Sequence, residues 1–213
     1  GTIGRFTQEK RPWTFLKVAE QILAANGPSD VPFSLELNEW YVENEGKTSF
    51  RTDSLESLTA QLKATKKEVH FVILGDGMMF ERANVIVNKS NILSDNVHLV
   101  GFSNDVPAFL KEFDVFLLTS SVEGLPNVLI EAQLFGVPVL TTNAGGSKEC
   151  VEQGVTGIVC KKDDWGSISL DLAKIIADGK FRKNARKKSP AFAKKKFGER
   201  TWSKNMSKLY YGE

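Results

Sequence analysis

Two cysteines, two histidines and no long apolar run are the chain's conspicuous shortages. Cys150 and Cys160 are too few for a disulfide framework or a thiolate zinc site, and they read as buried, reduced thiols of a cytoplasmic protein. His70 and His98 have no companion ligand and fit packed or edge positions better than a catalytic base. No stretch approaches the roughly 20 apolar residues needed to span a bilayer. The opening Gly1-Thr2-Ile3-Gly4-Arg5 lacks the charged-then-apolar pattern of an export signal. Asp-x-Asp is missing too: Asp163-Asp164 are adjacent, follow Lys161-Lys162, and suit a loop or helix cap. No metal is therefore expected.

What is present describes a globular domain. The chain has 213 residues, 41% hydrophobic and 25% charged, enough for one sizeable core over residues 1–213. Net charge is only +2, yet nine lysines and arginines fall between Lys180 and Lys196 with no acid among them, so the remainder is net acidic. Such a tract is a local feature and excludes a general nucleic-acid binder. It reads as a solvated basic face, or as a surface that touches anionic lipid headgroups beside a lipid-linked acceptor.

Short apolar runs alternate with longer amphipathic ones. Strands are predicted at Thr2–Gly4, Val69–Leu74, Val97–Val100, Val115–Leu118, Val137–Thr141 and Gly157–Val159. Several are continuously apolar, as parallel strands covered on both faces must be. Helices are predicted at Trp13–Ala25, Met79–Lys89, Val106–Phe113, Asn127–Phe135, Ser147–Gln153, Ser167–Ala177, Arg182–Ala193 and Glu199–Tyr210. Asp53-Ser54-Leu55-Glu56 has the form of a capping box opening a further helix with Leu55, Leu58 and Leu62 inward. The pattern predicts an α/β domain with a single Rossmann-like, doubly wound parallel sheet. Residues 27–52, rich in polar residues around Leu35, Leu37, Trp40 and Val42, interrupt it and read as an insertion, a hairpin on the surface.

Ligands of open parallel sheets bind beyond the carboxyl ends of the strands. Glycines follow five of the predicted strands there: Gly4, Gly75, Gly101, Gly124 and Gly145. Alone each is an ordinary turn; together they suggest a rim where backbone amides approach a ligand. The sharpest feature is Glu123-Gly124-Leu125-Pro126-Asn127-Val128-Leu129-Ile130-Glu131. Pro126 suits a first helical turn, placing Gly124 and Leu125 at the positive end of that helix, where phosphate is favoured. Glu131 lies in an otherwise apolar helix, expected to be covered nearly all round, where a carboxylate needs a partner such as sugar hydroxyls. Arg5 and Lys10 are the natural partners for a pyrophosphate.

At this point the motifs resemble glycosyltransferase family 4, retaining enzymes with two facing Rossmann-like domains, the GT-B fold. The resemblance rests on Gly4-Arg5…Glu9-Lys10, Leu74-Gly75-Asp76-Gly77, Val100-Gly101-Phe102, Asp114-Val115-Phe116-Leu117, Glu123-Gly124-Leu125-Pro126…Glu131-Ala132, Gly136-Val137-Pro138-Val139, Gly145-Gly146…Glu149 and Gly154-Val155-Thr156-Gly157. Order and spacing are similar to the family's C-terminal, donor-binding domain. The resemblance implies that Arg5 and Lys10 hold the donor diphosphate, Glu123 faces the transferred sugar and Glu131 the ribose. Gly124, Leu125 and Pro126 would touch phosphate and sugar, Gly101, Phe102 and Ser103 would border the base, and Gly4 and Gly75 would complete the rim. A UDP-, GDP- or ADP-sugar is the implied donor, with no cofactor and no metal. Such enzymes would serve cell-surface polysaccharide or glycolipid synthesis, in the cytoplasm or peripherally at the inner face of the membrane.

Two departures stand out: residues 27–52 are longer than the family usually carries, and Ser147-Lys148 replace an apolar residue and proline. The family's N-terminal acceptor domain has no counterpart in these residues, so the chain is expected to bind donor without completing catalysis. A nucleotide-sugar epimerase of related fold and a noncatalytic nucleotide-binding module remain as alternatives.

Overall fold

The computed structural model describes residues 1–26, 34–45, 60, 62, 68–160 and 164–211. Its strands are β1 (Thr2–Ile3), β2 (Phe71–Leu74), β3 (Val97–Gly101), β4 (Phe116–Leu118), β5 (Val139–Thr141) and β6 (Gly157–Val159). They form two three-stranded parallel ladders, β1-β2-β3 and β4-β5-β6. Thr2 lies opposite Ile73 in the first and Phe116 opposite Val139 in the second. The ladders meet where the Leu117 amide donates to the Gly1 carbonyl at 2.9 Å, which sets β4 beside β1. Spatial order is then β3-β2-β1-β4-β5-β6, and it reverses between β1 and β4. That crevice is where a doubly wound sheet offers its ligand site.

Helices cover both faces: α1 (Pro12–Asn26), α2 (Leu35–Glu45), α3 (Phe80–Lys89), α4 (Val106–Glu112), α5 (Asn127–Leu134), α6 (Trp165–Ala177), α7 (Gly179–Phe197) and α8 (Glu199–Tyr211). Alternation along β4 shows how the layers arise. Leu117 points to a core with Phe15 and Ile22 of α1 and Ile168 and Leu172 of α6. Phe116 and Leu118 point oppositely, to Leu110 of α4 and Leu129 and Ala132 of α5. A two-residue period thus feeds two cores from one strand. Aspartates start three helices: Asp105, Asp164 and Asp178 accept the amides of Ala108, Ser167 and Phe181. Cys150 and Cys160 are buried, and burial pushes the Cys150 thiol up to about 11. No helix among the described residues is long and apolar enough to cross a membrane.

Two elements differ from expectation. Within residues 27–52 the described part is not a hairpin but α2, whose Leu37, Trp40 and Tyr41 recur at helical spacing and are buried. Trp40 stacks edge-on against Trp13 of α1 at 5.7 Å, so this element belongs to the core. It also covers the outer side of α1, where Lys17 donates to Glu20 and to Asn38, both at 2.6 Å. The rest of that segment and the capping box at 53–56 lie outside the described residues; Leu62 is buried. The helix expected at Ser147–Gln153 is instead a 3-10 turn, Gly145–Cys150. Gly145, in a left-handed conformation at φ 49°, starts it against the neighbouring loop, and extended Val151 ends it.

Candidate functional site

The site grows from the loops that leave β1 and β4. After β1 come Gly4, Arg5 and a 3-10 turn at Gln8–Lys10; after β4 the chain runs from Thr119 through Glu123 to Pro126 and into α5. Side-chain and backbone contacts join them. Thr119 Oγ1 donates to the Lys10 carbonyl at 3.1 Å, and the Ser121 amide donates to the Glu9 carbonyl at 2.8 Å. Lys10 Nζ donates to Glu123 Oε1 at 2.5 Å, the lysine side chain 28% and the glutamate 9% exposed. An ammonium has three donors, and this pair occupies one.

Hydrogen bonds continue the ridge on both sides. The Gly4 amide donates to Leu74, the Phe6 amide to Asp76, the Gly75 amide to Gly101 and the Gly146 amide to Gly124, all at 2.8–3.0 Å. The glycine rim is therefore one connected surface, with Lys10 and Glu123 across its centre. Gly75 has a supporting place in it: a Cβ there would lie 1.9 Å from the Gly4 carbonyl oxygen.

The predicted residues fall as follows. Arg5 is exposed on the turn after β1. Gly124 and Leu125 are exposed at the start of α5, while Pro126 is buried and caps that helix rather than lying within it. Phe102 is exposed, and the Ser103 hydroxyl accepts the Asp105 amide at 3.1 Å. Glu131 corrects an expectation. Its helix is not covered all round: Glu131, Leu134 and Phe135 are exposed, so burial does not demand a partner for this carboxylate. Leu129, Ala132 and Gln133 alone turn fully inward, because the helix packs on the sheet by one face.

Sequence reasoning missed Thr119 and Arg11, and it quoted Glu9 beside Lys10 without giving it a role. Thr119 is an ordinary residue at a strand end, and Glu9 acts through its carbonyl, which carries no sequence signal. The Glu9 carboxyl is held below its usual range by its own backbone amide, then by Thr7, with smaller help from Arg5 and Lys10. A cavity of about 550 Å³ opens at the opposite ends of the strands, lined by Phe71, Val72, Phe113 and Val115 together with His70 and His98. His70 Nδ1 and His98 Nε2 lie 3.2 Å apart in a stacked, exposed pair. That cavity is mainly apolar and far from the cations of the rim; convergent charge at the strand-order reversal makes the Lys10–Glu123 crevice the candidate site.

Comparison with known proteins gives this geometry a family. Residues 52–192 match the model of glycosyl transferases group 1; Arg5 and Lys10 lie upstream of that match. A Vi polysaccharide biosynthesis protein of Salmonella typhi is 47% identical over 103 residues, 48% of this chain and 17% of that protein. A UDP-Gal:α-D-GlcNAc-diphosphoundecaprenol α-1,3-galactosyltransferase of Escherichia coli is 32% identical over 108 residues, 51% of this chain and 28% of that enzyme. The matches thus span less than a third of either relative. Among solved structures, Anabaena HepE in complex with UDP superposes with a TM-score of 0.65 at 21% identity, over 100% of this chain and 49% of that one. A strand order reversing at β1 and β4, a glycine-bound rim there and a family match across most of the described strands agree: the chain belongs to the glycosyl transferases group 1.

Proposed function

We propose that this chain is the donor-binding half of a retaining glycosyltransferase of family 4, working with an N-terminal acceptor domain in cell-surface polysaccharide or glycolipid synthesis. One observation carries the reading: Lys10 and Glu123 meet at the crevice where strand order reverses, beside the N-terminus of α5. In glycosyl transfer the bond between the anomeric carbon and a diphosphate oxygen breaks, and its electron pair stays on the diphosphate. In this reading Arg5, Lys10 and the first amides of α5 stabilise that growing charge, and the leaving group needs no bound metal. Glu123 orients the sugar through hydrogen bonds, held at its other oxygen by Lys10. Glu131 takes the ribose hydroxyls, and the Gly101–Ser103 turn borders the base. Two relatives support the substrate class: one is named for a UDP-Gal donor and a diphosphoundecaprenol-linked sugar, the other is bound to UDP.

Calorimetric titration of the full-length protein with UDP, GDP and ADP tests this. One of the three binds with micromolar affinity; heats of dilution alone from all three refute the donor site. A noncatalytic module of the same fold would bind the nucleotide yet leave a nucleotide-sugar intact in the presence of any acceptor, whereas an epimerase would invert the sugar without releasing nucleotide.

Peripheral contact with an anionic leaflet is part of the proposal. Helix α7 buries Ala185, Ser189 and Ala193, four residues apart, and exposes Lys183, Lys187, Lys188, Lys194 and Lys195. Among the described residues none of these lysines is paired with a carboxylate. Each lysine near such a surface adds about 1 kcal/mol. Neutralising Lys183, Lys187 and Lys194 to glutamine therefore weakens binding to phosphatidylserine vesicles about 100-fold. Pelleting that ignores anionic lipid refutes the contact.

A further inference from the structure

The segment between α1 and β2 has no role in the reaction proposed above, yet its helix ends against the site. Arg11 follows Lys10 directly. It is the one non-glycine among the described residues with positive φ, at 53°, a left-handed conformation disfavoured for any residue with a Cβ. Its side chain is nevertheless buried, 3% exposed, and Nε donates to Glu45 Oε1 at 2.5 Å. The same oxygen accepts Trp13 Nε1 at 2.8 Å. Glu45 is the last described residue of α2. A locally unfavourable choice, a left-handed arginine, is thus held by a partly buried ion pair. Departures of this kind gather where function requires them.

The contact clamps the turn from both sides. Glu45 holds Arg11 before α1 and Trp13 within its first turn, while the Arg11 carbonyl accepts the Thr14 amide at 3.0 Å. Because Lys10 and Arg11 share a peptide group, the dihedrals of Arg11 set the direction in which Lys10 leaves the turn. Thr119 fixes the Lys10 carbonyl from the β4 side. Glu123 takes its ammonium. We infer that Glu45 is a positioning residue: acting through Arg11, the helix α2 holds Lys10 in register with Glu123 for the diphosphate. This rests on the donor-site reading, and a double-mutant cycle separates the two.

UDP, or whichever of UDP, GDP and ADP binds tightest, is titrated into the full-length protein bearing Glu45→Gln, Lys10→Met, or both. Lys10→Met alone weakens the diphosphate, and Glu45→Gln alone weakens it about 5- to 10-fold through displacement of Lys10. Added to Lys10→Met, Glu45→Gln has no further effect, since the group it positions is gone. Equal losses in both backgrounds would mean a general structural role and overturn the inference, as would unchanged affinity for Glu45→Gln alone. An unchanged affinity for Lys10→Met overturns the donor-site reading itself and the inference with it. Arg11→Gly provides the second variant if Glu45→Gln misfolds: glycine adopts the left-handed turn freely, while the side-chain contacts of Arg11, that to Glu45 included, are lost. The same 5- to 10-fold weakening is expected of it, and wild-type affinity there overturns the brace.

Discussion

Lys10→Met in the full-length protein slows donor turnover by about 100- to 1,000-fold, the range seen when a donor to a developing oxyanion is removed. Two effects separate in this variant. One is the loss of a cation from the diphosphate, which raises the barrier because charge on the leaving oxygen is greatest in the transition state. The other is local: Glu123, only 9% exposed, loses its 2.5 Å partner. A nearly buried carboxylate deprived of its ion pair costs about 1–3 kcal/mol, an upper range here because the lysine itself is 28% exposed. Adding Glu123→Gln to Lys10→Met removes the stranded charge and recovers thermal stability without recovering turnover. Wild-type turnover in Lys10→Met at a temperature where the variant stays folded would make the lysine's part structural and the leaving-group role wrong. Lys10→Arg keeps the charge but replaces a compact ammonium by a planar fork, so it falls between the two.

How far the sequence could be read depended on which interactions each element answers to. The strands were legible because Phe116-Leu117-Leu118 and Val139-Leu140-Thr141 must be apolar on both sides, a requirement written in consecutive residues. From the predicted strand ends and the glycines that follow them the rim could be read, and Lys10 and Glu123 do meet on it. Where a segment's conformation is set by a distant neighbour, local pattern was silent. Helix α2 has too few apolar residues for its charge to signal a core element; it is buried because Trp13 offers Trp40 a ring to pack on. The turn Gly145–Cys150 stays a 3-10 segment because the β4–α5 loop lies directly against its backbone. Glu131 was misjudged in burial because a run of apolar letters does not reveal how many faces of a helix are covered. Arg11 could not be foreseen: nothing in Lys10-Arg11-Pro12 distinguishes a left-handed arginine from a solvated one, and its partner Glu45 is 34 residues away.

Gly145→Ala tests the part of the site that contains no charged group. With φ at 49° the residue already occupies the left-handed region, and a Cβ there would lie 1.8 Å from the Glu123 carbonyl oxygen. The space cannot be regained by a rotamer change, since the obstacle is main chain; the Glu123–Gly124 turn has to retreat by about an ångström or more. Next to it the Gly146 amide donates to the Gly124 carbonyl at 2.9 Å, so the same retreat stretches the bond that seats the start of α5. Left-handed alanine and a weakened hydrogen bond together cost about 2–3 kcal/mol of stability. Turnover falls further than that loss explains, by about 100-fold, because a misplacement of this size removes the alignment of Glu123 and Lys10 with the reacting bond. Gly154→Ala is the matched control: its φ of 74° has the same sign, but a Cβ there meets nothing within 4 Å. It should lose about 1 kcal/mol and keep its activity. If the two alanine variants lose stability and turnover alike, the damage comes from backbone strain anywhere in the domain, and the close seating of Glu123 on Gly145 has no part in catalysis.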